Sequence, residues 1–223
     1  MAGNMNGPEI FIVSPVTLAS YARTCLRLVH FAGLTLGFGG AVFLDLMFSR
    51  YRKTPVTTEL ADNVEWVSKF VALGLGLLWV SGLGFLVLYH FAEPEKLTNP
   101  KIWAKVVIVA ILTLNGVAIH KLVIPFVRQR IGSQLLVGMT PRMYSTLVGC
   151  GVVSLVSWTM PVVLGAAPQL NFVVPCALIL AGYAAVLGQA FLIANFLLRR
   201  ASGNIPVPAS STPGEPDPGL APS

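Results

Sequence analysis

Long apolar runs alternate with short polar breaks along this chain. The runs cover roughly residues 22–49, 66–91, 102–126, 143–166 and 173–198. Each exceeds the about 20 residues that a helix needs to cross a hydrocarbon core, and none keeps the strict apolar–polar alternation of a half-buried strand. The pattern predicts an all-α fold, an integral membrane helical bundle of five transmembrane helices. The stretch 140–166 is softened by Gly, Ser and Thr, yet its single charge is Arg142. Gly33, Gly37 and Gly40 put a stripe of small residues on the first run, which predicts close approach by a second helix.

The pattern divides the chain into three parts. Residues 1–21 are expected to be an outer interfacial segment: "EIFIVSPV" is too short to span, and the features of a cleavable leader are not in their usual order. Residues 22–200 form the five-helix transmembrane domain. Residues 201–223 are rich in Pro, Ser and Gly and are expected to be a disordered cytoplasmic tail.

Composition reinforces this division. The chain is 55% hydrophobic and 11% charged, against about 25% charged in soluble domains, so no soluble domain fits beside the spans. A net charge of +6 could suggest a nucleic-acid partner, but the fifteen Lys and Arg residues gather at the ends of the apolar runs. They read as topology signals, and the expected partner is the lipid bilayer, with no nucleic acid. The loops after the odd-numbered spans hold Arg50, Arg52, Lys53, Lys121, Arg128, Arg130, Arg142, Arg199 and Arg200, with Lys69 nearby; Arg23, Arg27, Lys96, Lys101 and Lys105 lie on the other side. By the positive-inside rule the N-terminus is outside and the C-terminus cytoplasmic, in a multi-pass protein of the cell (inner) membrane. Cys25, Cys150 and Cys176 show neither a CxxC pair nor zinc-site spacing.

The candidate chemistry lies in polar residues inside the spans. An ionisable side chain at membrane depth costs about 2.5–3.5 kcal/mol on insertion scales, so it usually faces a bundle interior and marks a site. His30, His90 and Lys105 fall at one depth beneath the outer surface. Asp45, His120 and Lys121 form a second group at the inner side, with Asn115 between the two levels. His120 follows Lys105 by 15 residues, about 22 Å along a helix axis, with only about 60° of rotation. Competing structural readings exist: Asp45 can pair with Arg50, His90 can be an interfacial residue, and Gln189 and Asn195 can bond between helices. Imidazoles gathered at one level can hold a haem iron or copper, which makes His30, His90 and Lys105 the candidate cofactor-binding group; His30 and His120, at different levels, are the candidate metal ligands. No hydrolase or nucleotide-binding motif occurs in a usable context.

Two stretches carry a family resemblance. "HFAGLTLGFGGAVFLDLMF" resembles the first span of HemJ-type protoporphyrinogen oxidases and of the related copper-resistance protein D membrane domain, and "IWAKVVIVAILTLNG" is similar to their third span, where a Lys begins an apolar helix. The resemblance covers about 60 residues. It implies a b-type haem, with functional roles for His30 and Lys105. Where the oxidases continue with Pro-Arg-Leu-Phe and Tyr-His, this chain reads "FLDLMFSRYRK", and Asn115 resembles the Asn of the copper-resistance relatives.

Three functions follow as expectations. The first is a haem-b-binding redox membrane protein, a membrane oxidoreductase, with His30 as axial ligand, His90 or His120 as its partner and Lys105 on a propionate. The second is a permease for copper or another small cation, stepping through His30, Asn115 and His120. The third is a non-catalytic assembly or accessory subunit. A membrane redox or assembly partner, and a homo-oligomer, are compatible with the first and third.

Overall fold

A computed structural model describes residues 15–135 and 137–202, with side chains over 18–135 and 137–197. Its helices are α1 (Pro15–Tyr51), α2 (Thr58–Ala92), α3 (Pro100–Ala118), α4 (Ile124–Gln129), α5 (Pro141–Ala166) and α6 (Cys176–Ser202). A π-helical turn, Ile119–Val123, joins α3 to α4, so these three pieces make one span. Five segments are long and apolar enough to cross a membrane: Leu18–Tyr51, Thr58–Ala92, Pro100–Gln129, Pro141–Ala166 and Cys176–Leu197. The chain is a multi-pass, all-α membrane protein.

The helices start where local chemistry permits. The side chains of Thr57, Asn99 and Thr140 accept hydrogen bonds from the backbone N–H groups of Leu60, Lys101 and Met143, which helix starts leave without partners. α2 begins at Thr58 rather than near residue 66, because its charged first turns need no bilayer. Asp62 and Glu65 there pair with Arg128 of α4 at 3.0 and 2.5 Å. α1 begins at Pro15, so residues 15–21, expected to be interfacial, are its first turns. Residues 1–14 of that segment, and 203–223 of the expected tail, lie outside the described residues. The π turn precedes Pro125, whose ring clashes with the carbonyl four residues back in a regular helix. One extra residue in the turn absorbs that mismatch.

Two packing groups build the bundle. α1 lies along α2, while α3 packs on α5 and α6; α1 also meets α5, and α2 meets α4. Glycine allows the first pairing. A Cβ built on Gly74 would collide with the backbone of Gly37 and come within 2.6 Å of Gly33 O, so the two helices touch main chain to main chain. Trp158 of α5 is 2% exposed and lays its ring on Gly37. Apolar clusters fill three levels: Val56, Val123 and Val127 at the end holding Arg52 and Arg128 (the basic end), Ala41, Leu78, Leu112 and Trp158 in the middle, and Ala104, Ile108, Leu164 and Tyr183 toward the opposite end. Large side chains such as Phe31, Leu46, Val80, Leu114 and Leu192 point outward, as lipid contact requires.

Candidate functional site

His30 sits on the face of α1 that meets α2, and its Nδ1 lies 2.9 Å from the hydroxyl of Ser81. Ser81 is fully buried and donates its one proton to Leu77 O at 2.7 Å. With that proton on Leu77 O, the Ser81 oxygen accepts from His30 Nδ1–H. In the neutral imidazole this leaves the lone pair on Nε2, the tautomer a metal ligand needs, held by a hydrogen bond to the other ring nitrogen. Phe85 fixes the ring further, edge to face at 6.0 Å between centroids.

Lys105, one turn into α3, stands close enough to His30 for their charges to interact. Its ammonium reaches toward α5, where a Cβ built on Gly165 would lie 3.7 Å from Nζ. Among the described residues no carboxylate pairs with Lys105. Glu93, at the end of α2, is taken up by Arg23 and Lys96. Lys101 has a structural role: it is 5% exposed and donates to Ala167 O at 2.7 Å and Asn171 Oδ1 at 2.9 Å, tying the α5–α6 connection to the start of α3. Ser81, which orients His30, was missed by reading the sequence; its place on the small-residue face Gly74–Ser81–Gly84 was the available signal.

His90 does not join His30. It is exposed, stacks edge to face on Phe91 and lines a lipid-side groove with Leu97 and Trp103. Nine residues separate it from Ser81, about half a turn of rotation, so it leaves α2 on the opposite face. His120 is also exposed and lies at the basic end, roughly 22 Å along the third span from Lys105. Among the described residues no group of three or more His, Cys, Asp or Glu side chains is arranged to hold a metal ion.

Other expectations change as well. Asp45 makes no ion pair with Arg50 among the described residues; its carboxylate lies against α5, where a Cβ on Gly151 would sit 3.8 Å from Oδ1. Asn115 is buried and donates from Nδ2 to Cys150 O at 3.0 Å, joining α3 to α5. Asn195 bonds within its own helix, to Phe191 O at 2.8 Å, rather than between helices. α5 and α6 are joined instead through the Ser157 and Tyr183 hydroxyls, 2.7 Å apart.

A cavity of about 720 Å³ opens toward the basic end between α1, α2, the third span and α5. Its walls are mostly apolar. Asp45, Asn115 and Ser154 sit in them, His120, Lys121 and Arg52 stand at the mouth, and Trp158 lines the deep end.

His30 could offer Nε2 to a metal, and Lys105 could meet a carboxylate. The residues do not form the His30–His90 ligand pair. No protein-family model, no curated protein and no solved structure matches this chain.

Proposed function

We propose that this is a b-haem-binding redox membrane protein in which His30 is the protein's axial ligand and Lys105 neutralises a propionate. The observation that carries the reading is the contact of His30 Nδ1 with Ser81 Oγ, itself bonded to Leu77 O, which with the Ser81 proton on Leu77 O leaves Nε2 as the free ring nitrogen, while Lys105 has no carboxylate partner among the described residues. Bound haem would supply one-electron chemistry; the chain's own residues supply its attachment and charge balance. An unpaired Lys in an apolar bundle also awaits a counter-charge, and a propionate provides it. The resemblance of the first and third spans points to the same two residues.

A cation permease is less well supported. Asn115 is engaged with Cys150 O, and the unneutralised Lys105 would repel a cation beside His30. For orientation we adopt an outside N-terminus and a cytoplasmic C-terminus, which puts His30 and Lys105 in the outer half of the membrane and the cavity mouth at the cytoplasmic side.

The test is the haem content of protein purified after expression with ample haem supply. Close to one b-type haem per chain is expected, with loss in His30→Ala and retention in His90→Ala. Haem-free wild-type protein would overturn the reading.

A further inference from the structure

The cavity at the basic end holds an unexplained charge. Asp45 is half-buried among Leu44, Phe48, Leu112 and Leu147, and no described Lys or Arg pairs with it. Two more acceptors face the same space. Asn115 has its NH₂ group occupied by Cys150 O, which leaves Oδ1 free to accept. Ser154 is buried, lines the cavity one turn along α5 from Gly151, and bonds to no described residue. Asp45 Oδ1 rests against Gly151 and Asn115 against the neighbouring Cys150, so both side chains meet α5 at adjacent residues, with Ser154 one turn away. About 720 Å³ is within the range of pockets for drug-sized molecules, which are largely apolar with a few placed polar groups.

We infer that this cavity binds lipophilic organic cations, the apolar body filling the chamber and the cationic centre resting against Asp45. Charge complementarity selects this occupant over an anionic amphiphile. Arg52, His120 and Lys121 stand at the mouth, with Arg52 just past the end of α1, about two turns beyond Asp45. His120 and Lys121 are exposed and Arg52 half-buried, so water and salt screen them, whereas a carboxylate in an apolar wall acts through a lower dielectric. The inner site is separate from the outer one: Trp158, seated on Gly37, closes the chamber's deep end, and His30 lies one to two turns beyond it.

Tetraphenylphosphonium and tetraphenylborate make the decisive probe pair, because they share size and shape and differ in the sign of charge. Equilibrium dialysis against the full-length protein in lipid nanodiscs should show saturable binding of the phosphonium, at least about tenfold tighter than the borate, a preference that Asp45→Asn abolishes. A Cβ built on Gly116, which lines the chamber, meets nothing within 4 Å, so Gly116→Trp fills the space with Asp45 intact and should also remove phosphonium binding. The inference is overturned by tighter borate binding, by no saturable phosphonium binding, or by unchanged binding in either variant. Should Asp45→Asn fail to fold, the Gly116→Trp result alone decides.

Discussion

At the scale of single residues, the orientation of the His30 ring depends on a serine. Ser81 gives its proton to Leu77 O and accepts from His30, so it sets which ring nitrogen is free. Ser81→Ala keeps the packing volume nearly constant and removes that control. Loss of such an outer-sphere partner typically weakens metal binding by about 10–100-fold, and haem titration of the variant should show a shift of that size. Unchanged affinity would mean that the imidazole is oriented by something other than Ser81. His30 and Lys105 stood out in the sequence as candidates because ionisable groups are conspicuous in apolar runs. Ser81 did not, because a hydroxyl in a membrane helix usually satisfies only its own helix, as Thr35 and Thr159 do here by bonding four residues back.

At the scale of elements, helix rotation decided which expected contacts exist. Depth along a span can be counted from sequence at 1.5 Å per residue, and it put His30, His90 and Lys105 at one level. Direction requires knowing which face of α2 meets α1, and Gly74, Ser81 and Gly84 mark it. That face excludes His90. The glycine stripe of α1 was legible and does bring a second helix close: Gly33, Gly37 and Gly40 meet Gly74, Trp158 and Val71. Gly74→Ala should therefore destabilise the α1–α2 pair by about 1–3 kcal/mol, the usual cost of overpacking, measurable as earlier unfolding in detergent. Gly76→Ala, where an added methyl meets nothing within 4 Å, should leave stability unchanged. Equal effects at the two glycines would contradict the close approach.

For the whole molecule, composition and hydropathy sufficed for the class of fold and the number of spans. The division of the bundle into an α1–α2 pair and an α3–α5–α6 group, with a chamber between them, depends on packing choices that no single run encodes. Orientation makes its own prediction. In a Cys25→Ser, Cys176→Ser background, Glu95→Cys should react in intact cells with a membrane-impermeant maleimide, and Gln134→Cys only after permeabilisation. The reverse pattern would invert the topology and put the chamber mouth outside.

The central claim is that His30, and neither His90 nor His120, is the functional imidazole. A reduced-minus-oxidised visible spectrum of the purified wild type, His30→Ala, His90→Ala and His120→Ala proteins tests it most directly. The account predicts a b-type spectrum in all but His30→Ala. A spectrum that survives in His30→Ala and vanishes in His120→Ala would move the haem to the chamber at the basic end and contradict the assignment.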